Sequence, residues 1–179
     1  VPPKVSDLQE GLLYEGISYR AVGEAADYVL CMTYEWGYTY GPPMPVSPVP
    51  SVRRVLDYAV SEIPPQKLFI GISNYGYDWT LPYVSGQSRA RSLSTVEAVK
   101  LASDNNVPIS YSVEYEAPYF YYTASDGKEH EVWFEDARSI FRKLSLVPEY
   151  GLHGGLYWNL NRENPQNTAV LSGVMRYDT

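Results

Sequence analysis

The sequence predicts an α/β fold built on a parallel sheet, because short buried strands alternate with amphipathic helices along its 179 residues. Three segments are nearly continuous apolar runs rich in strand-forming residues, a pattern typical of strands that are covered on both faces. A helix with one apolar face separates the first two, and strand–helix–strand units of this kind form parallel sheets. The three predicted strands lie at residues 27–34, 67–75 and 154–159.

The helices in the first half of the chain have recognisable starts and stops. A short helix is predicted at residues 18–26. A second is expected to begin with Ser51 as its N-cap, since a serine side chain accepts a hydrogen bond from a free amide of the first turn. Pro64 ends this helix. Before it, five prolines between Pro42 and Pro50 indicate a stiff loop.

The second half contains further helices. Residues 76–92 are rich in glycine, serine and aromatic residues, and they are predicted to form a loop. Ser94 and Glu97 then form a capping box, which opens a helix that runs to about Asn105. A later helix is expected to place four apolar residues on one face, and a last helix is predicted at residues 168–175. The four apolar residues are Ala137, Ile140, Phe141 and Leu144.

A small antiparallel unit lies between these helices. Residues 109–113, 119–123 and 131–134 have the composition and alternation of strands. Asp126 and Gly127 are a strong signal for a hairpin turn between the last two strands. The unit therefore interrupts the alternation of parallel strands and helices.

The composition excludes several classes of protein. The formal net charge is −7, so the chain lacks the positive surface that binds a nucleic-acid backbone. The single cysteine, Cys31, excludes an intrachain disulfide and a multi-cysteine zinc site, and two histidines argue against a histidine-rich metal cluster. No apolar run reaches the roughly 18–20 residues of a membrane span. The 18 tyrosines and 4 tryptophans favour stacking on sugar rings, although an aromatic-rich core is the alternative.

The candidate site residues come directly after the three predicted buried strands, where parallel α/β folds bind their ligands. Glu35 is the carboxylate best placed for chemistry, and a solvated loop glutamate is the alternative interpretation. Glu114 and Glu116 share one face of a strand-like segment, where a solvent-facing pair is the alternative to an acid–base pair. The residues at the strand ends are Tyr34, Glu35 and Trp36, then Asn74 and Tyr75, then Trp158 and Asn159.

Four segments resemble the family 18 glycoside hydrolases, the chitinase-like barrels. Met32-Thr33-Tyr34-Glu35 is similar to the family's M-x-Y-D/E signature on the sixth barrel strand, and residues 70–79 resemble its seventh-strand pattern. Residues 132–140 resemble the stretch before the seventh barrel helix, and residues 154–160 resemble the eighth strand with its tryptophan. The phrase MTYEWGYTYGPP and the later N-P-Q-N are most similar to the subgroup of bacterial spore-cortex-lytic and germination glycosylases.

The resemblance implies that residues 1–179 form the C-terminal part of a (β/α)8 TIM barrel, with a small α+β insertion at about residues 80–131 after the seventh strand. It also implies hydrolysis of β-1,4-linked N-acetylglucosamine polymers, peptidoglycan or chitin, with retention of configuration by substrate assistance. In that mechanism the substrate's own acetamido oxygen attacks the anomeric carbon. No metal and no other cofactor is expected.

The resemblance also assigns roles to individual residues. Tyr34 matches the tyrosine that hydrogen-bonds the acetamido group, and Glu35 stands where chitinases usually carry aspartate, so both are expected to be catalytic. Trp158 matches the tryptophan that lies beneath the reacting sugar. The other expected substrate-binding residues are Trp36, Asn74, Tyr75 and Asn159.

One motif of the family does not occur in this sequence. The family's general acid is the glutamate of D-x-x-D-x-D-x-E on the fourth strand, and no such pattern is found among the 179 residues. The opening Val1-Pro2-Pro3-Lys4 resembles the end of the fifth strand, and no leader sequence is predicted there. We therefore expect a fragment that is inactive by itself. A non-catalytic, lectin-like barrel is the alternative.

The expected partner is an N-acetylated glycan, with no nucleic acid and no membrane span. A partial barrel leaves strand edges unpaired, and such edges favour homo-oligomers. By resemblance, the expected location is extracellular or at the spore or cell wall.

Overall fold

The structure, a computed structural model, describes residues 1–174 and contains two sheets and five α-helices in that range. A single 3-10 turn, Pro65–Lys67, precedes the second strand. The other elements in chain order are α1 (Tyr19–Ala25), β1 (Val29–Cys31), α2 (Val49–Glu62), β2 (Leu68–Ser73), β3 (Tyr75–Thr80), β4 (Arg91–Ser94), α3 (Thr95–Asp104), β5 (Ser110–Ser112), β6 (Ala117–Thr123), β7 (Glu129–Trp133), α4 (Ala137–Tyr150), β8 (Gly154–Trp158) and α5 (Pro165–Val174).

The first sheet is parallel, with strand order β1-β2-β8, which confirms the predicted strand–helix–strand arrangement. Apolar side chains of α2 and α4 pack against it, and Leu56, Ile70 and Ile140 are fully buried in this core. Strand β8 is less buried than predicted, since Leu156 and Trp158 are 43% and 55% exposed. Alternate residues of a strand point to opposite faces, and the helices cover only the face opposite these two side chains.

The second sheet is antiparallel and has the strand order β4-β3-β7-β6-β5. The predicted hairpin is confirmed, because Thr123 pairs with Glu129 on either side of the turn. The predicted loop at residues 76–92 is wrong, since it contains most of β3 and the start of β4. Five consecutive residues of β3 are buried, so both faces are covered and the strand lacks an apolar–polar alternation.

The starts of α2 and α5 differ from the predicted ones, whereas the start of α3 is confirmed. Ser51 is not an N-cap, because α2 begins at Val49 after Pro48, and proline suits the first helical turn, where amide groups lack partners. The capping box is confirmed: the Glu97 amide donates to Ser94 Oγ at 3.2 Å, and the Ser94 amide donates to Glu97 Oε2 at 2.7 Å. Helix α5 begins at Pro165, and the predicted end at Met175 lies outside the described residues.

Helix α4 buries a stripe that is rotated from the predicted one. Ile140 and Leu144 are buried, whereas Phe141 is 50% exposed. The buried face also includes Ser139, Lys143 and Leu146. Consecutive helical residues differ by about 100° in direction, so Phe141 lies outside a stripe that is centred on the side of Lys143. No helix within residues 1–174 is long and apolar enough to cross a membrane.

A buried ion pair joins the second sheet to the first. Glu135 follows β7, and its Oε2 accepts a hydrogen bond from Lys143 Nζ of α4 at 2.7 Å; both side chains are fully buried. Ser139 Oγ donates to the same carboxylate at 2.6 Å, and Ser73 Oγ of β2 donates at 3.3 Å. These contacts fix the end of β2, where the candidate site begins.

Candidate functional site

Two adjoining cavities lie at the carboxyl ends of the parallel strands, and the larger also extends along β1 to Tyr28. The larger, of about 480 Å³, is mostly apolar, and Tyr34 and Trp158 are among its lining residues. The smaller, of about 210 Å³, is bordered by Glu35, Tyr75 and Trp158. Trp158 borders both, so the structure brings Tyr34, Glu35, Tyr75 and Trp158 into one region. The remaining residues of the smaller cavity are Tyr77, Ser92, Asn159 and Arg162.

Tyr34 follows β1 and is 6% exposed. Its ring lies against Gly71 of β2, where a Cβ atom would stand 2.6 Å from Tyr34 Cε1 and 2.7 Å from the Cys31 carbonyl oxygen. Burial raises the pKa of the Tyr34 hydroxyl, and the neighbouring charge of Glu35 raises it further. The hydroxyl therefore stays protonated at neutral pH and can donate a hydrogen bond.

Glu35 is exposed, yet its carboxylate is held by two tyrosines of β3. Tyr75 Oη donates to Glu35 Oε1 at 2.5 Å, and Tyr77 Oη donates to the same oxygen at 3.0 Å. The backbone of Glu35 has φ 68°, in the left-handed region that is uncommon for residues other than glycine. The exposed side chain of this loop glutamate therefore has a defined orientation.

The two tyrosines keep their protons beside this carboxylate. Burial, followed by the charge of Glu35, raises the pKa of Tyr77 to about 12. The same two effects, with the hydrogen bond to Glu35, raise the pKa of Tyr75 well above its ordinary value. Their rings meet edge to face with centroids 5.9 Å apart. Both phenols thus act as donors that leave the remaining lone pairs of Glu35 facing the cavity.

Asn74 and Asn159 are paired with each other at the ends of two strands. Asn74 is 4% exposed; its Nδ2 donates to the Asn159 carbonyl oxygen at 2.7 Å, and its Oδ1 accepts from the Asn159 amide at 3.1 Å. Asn74 therefore fixes the turn after β8. Asn159 borders the smaller cavity and follows Trp158 through a cis peptide bond.

Trp36 lies beside the site but lines neither cavity. It is half-buried and packs against the apolar core of the parallel sheet. Its amide donates to the Val46 carbonyl oxygen at 3.0 Å, which ties the segment after Glu35 to the proline-rich loop.

Two residues of the site were missed in the sequence. Tyr77 lies in a segment whose composition predicts a loop; its spacing of two from Tyr75 is the signal that places both hydroxyls on one face of a strand. Arg162 lies in the loop after β8, with its guanidinium 5.4 Å from the centre of the Tyr75 ring. Nothing in the local sequence pattern marks it.

The assembled groups suit a ring-shaped, hydroxylated ligand. Trp158 offers a partly exposed aromatic face, Tyr34 and Arg162 offer donors, and Glu35 offers an acceptor. Aromatic faces pack on the C–H side of a sugar ring, while polar groups around them fix its hydroxyl and amide substituents. Within residues 1–174, no three histidine, cysteine, aspartate or glutamate side chains converge to hold a metal.

The fold is that of a glycoside hydrolase domain. Residues 1–163 match the family described as Glycosyl hydrolases family 18, and the chain therefore belongs to that family.

Three relatives show how far the similarity extends. The chain is 49% identical over 170 residues to the cortical fragment-lytic enzyme of Bacillus subtilis (strain 168), a match covering 95% of this chain and 39% of that protein. It matches the Bacillus cereus spore cortex-lytic enzyme SleL with a TM-score of 0.95 and 45% identity, over 98% of this chain and 41% of that one. A chitinase from Chromobacterium violaceum ATCC 12472 matches with a TM-score of 0.87 and 32% identity, over 96% of this chain and 53% of that one. The chain thus spans about two fifths of the length of the first two relatives.

Proposed function

We propose that this chain is the substrate-holding part of a glycoside hydrolase that cleaves β-1,4-linked N-acetylglucosamine polymers, with peptidoglycan as the preferred substrate and chitin as the related one. The observation that carries the proposal is the Glu35 carboxylate, held by Tyr75 and Tyr77 next to the exposed face of Trp158. The choice of peptidoglycan is supported by the similarity to proteins named for lysis of the spore cortex.

The parallel sheet fits the last three strands of a barrel. In this proposal β1, β2 and β8 are the sixth, seventh and eighth strands of a (β/α)8 barrel of which residues 1–179 form the C-terminal part. Residues 80–131 form the insertion after the seventh strand, and β3 links the insertion to the barrel. Two consequences follow for the site: its residues come from strand ends, and the antiparallel sheet forms one wall of the cleft.

The proposed mechanism retains configuration through the substrate's own acetamido oxygen, which attacks the anomeric carbon. The Tyr34 hydroxyl donates to the acetamido group and holds it in position. Glu35 accepts a hydrogen bond from the substrate and stabilises the positive charge that develops on the ring. Trp158 supports the sugar ring, and Asn159 contacts its rim. Tyr75 orients Glu35, while Asn74 and Trp36 position the segments that carry these groups.

The general acid is not assigned to any residue of this chain, because the family's D-x-x-D-x-D-x-E pattern does not occur in it. General acid catalysis contributes about 10²–10⁴-fold to such reactions. We therefore expect the 179-residue chain to show no turnover of a chromogenic N-acetylglucosaminide, whereas a longer protein that supplies this glutamate hydrolyses it. Robust turnover by the chain alone would overturn the assignment of the acid to another segment.

Binding tests the site independently of turnover. Isothermal titration calorimetry is expected to show that Trp158→Ala binds N-acetylated chitotriose at least about tenfold more weakly, a loss of about 1.4 kcal/mol, because the aromatic platform is removed. Tyr121→Ala is the matched control, since Tyr121 is similarly exposed and lines neither site cavity. Equal affinities of the two variants would contradict the proposed sugar platform.

A non-catalytic, lectin-like protein is the second candidate, because the aromatic and polar groups around the smaller cavity would serve sugar binding equally well without a proton donor. The two candidates share the sugar site and differ only in the proton donor. A longer protein with a glutamate at the end of the fourth strand supports hydrolysis, whereas a residue without an acid group there supports binding alone.

We also propose that this protein acts at the spore or cell wall, which is supported by its similarity to proteins named for lysis of the spore cortex.

The isolated chain is further proposed to self-associate. Strand β8 has one neighbour in the described part of the sheet and so presents an unpaired edge, whereas Val1 hydrogen-bonds to Leu30 and Met32 along the outer edge of β1. Light scattering of the purified chain is expected to give a mass above 20.2 kDa. A monomer that persists as the concentration is raised would rule out the association.

A further inference from the structure

Arg162 is a fixed cation at the edge of the smaller cavity. Its Nη1 donates to Ser92 Oγ at 2.9 Å and to the Leu93 carbonyl oxygen at 3.0 Å, both in β4. Its guanidinium also lies 5.4 Å from the centre of the Tyr75 ring, within the range of a cation–π contact. These contacts hold one end of the guanidinium and leave Nε and Nη2 without a protein acceptor in the described part of the chain.

The lack of a carboxylate partner distinguishes Arg162 from most arginines of this chain. The net charge of −7 provides an excess of carboxylates, yet no ion pair with Arg162 is found within residues 1–174. Glu35 borders the same cavity, but the two tyrosine hydroxyls hold its carboxylate. The arginines that do pair with carboxylates are Arg20, Arg53, Arg91, Arg138 and Arg142.

An ordered guanidinium with free donors in a ligand cavity is suited to a carboxylate. Its planar array of N–H groups matches the two oxygens of a carboxylate, and such charge-assisted pairs are stronger than neutral hydrogen bonds. Because Trp158 and Asn159 border the same cavity, a sugar ring placed there has its substituents near Arg162. A neutral chitin chain offers hydroxyl and acetamido oxygens as acceptors but no negative charge that would pair with this cation.

We propose that Arg162 is a specificity-determining residue that binds a carboxylate carried by the glycan, so that the site favours acidic over neutral amino-sugar polymers. This inference rests on the proposed function, because it assumes that a sugar ring occupies the cavity. Two sources supply such a group in peptidoglycan. One is the carboxylate of the lactyl group on N-acetylmuramic acid. The other is the α-carboxylate of a short stem peptide that is joined to this lactyl group by an amide bond. Arg162 recognises the shared carboxylate chemistry.

The test compares three disaccharides of N-acetylglucosamine and N-acetylmuramic acid on the 179-residue chain by calorimetry. The first has a free lactyl carboxylate, the second carries L-alanine on it, and the third is capped as a neutral methylamide. At least one charged form is expected to bind about 10- to 100-fold more tightly than the methylamide. In Arg162→Gln this ratio falls towards one, and in Arg162→Lys it is intermediate because the charge remains without the planar donors.

Arg89→Gln is the matched control, because Arg89 is exposed and lies over Tyr40, away from both site cavities. The ratio of its affinities for the charged and the methylamide disaccharides is expected to equal that of the wild type. Tighter binding of the first disaccharide identifies the lactyl group as the source, and tighter binding of the second identifies the peptide carboxylate. Equal binding of all three overturns the inference but leaves the proposed sugar site intact. Binding of none overturns the proposed function and the inference with it, and an unchanged ratio in Arg162→Gln overturns the role of Arg162.

Discussion

Glu135→Ala is expected to lower the free energy of unfolding by about 3–5 kcal/mol, because it leaves the ammonium group of Lys143 buried without a counter-charge. Both side chains are fully buried, and the pair is held at 2.7 Å. The substitution also removes the acceptor for Ser139 Oγ and Ser73 Oγ. Urea denaturation followed by circular dichroism measures the change.

The exposed pair between Arg53 and Glu149 supplies the control. Glu149→Ala breaks an ion pair between partly exposed side chains, where solvent screens the charges, so it is expected to lower the free energy of unfolding far less than Glu135→Ala does. Replacing both buried partners, as in Glu135→Leu with Lys143→Met, is expected to recover much of the stability, since no unpaired charge remains. If Glu135→Ala and Glu149→Ala lowered the free energy of unfolding by similar amounts, the buried pair would be no more important for stability than the exposed one.

Gly71→Ala is expected to displace Tyr34 and to weaken binding of N-acetylated chitotriose by at least about tenfold. The added Cβ atom would lie 2.6 Å from Tyr34 Cε1 and 2.7 Å from the Cys31 carbonyl oxygen. The carbonyl belongs to the adjacent strand and has little freedom, so the tyrosine ring has to move. Overpacking of this kind also destabilises a fold by about 1–3 kcal/mol. Calorimetric titration and thermal unfolding measure the two effects separately.

Gly155→Ala is the matched control for this substitution. Gly155 lies in the same parallel sheet, where it pairs with Ile70, and its added Cβ atom would meet neighbours no nearer than 3.4 Å. We expect Gly155→Ala to retain glycan affinity. If both variants lost affinity equally, the close approach of Gly71 to Tyr34 would not be the cause.

Much of the fold was predictable from local patterns. The parallel strands are apolar runs, the hairpin has Asp126 and Gly127, and the helix after Ser94 has a complete capping box; in each case neighbouring residues alone determine the structure. Tyr34, Glu35 and Trp158 were predictable as neighbours because the ends of parallel strands meet at one edge of a sheet. The structure places all three around the two adjoining cavities.

The parts that could not be predicted depend on contacts between distant residues. Strand β3 was missed because the covering of both its faces removes the alternation on which strand prediction relies. Arg162 reaches the site only through its bonds to β4, which lies 69 and 70 residues away in sequence. Glu135 and Lys143 are only eight residues apart, but their pairing depends on how α4 packs over the sheet, and no residue pattern near Glu135 indicates it.

The contacts of Glu35 also join the two sheets of the molecule. Glu35 follows a strand of the parallel sheet, whereas the tyrosines that donate to it belong to the antiparallel sheet. A ligand seated on this carboxylate therefore touches both sheets at once, and its binding energy stabilises them as one cooperative unit. When a glycan is bound, backbone amides in both sheets, including amides far from the ligand, would then exchange with deuterium more slowly than in the free protein.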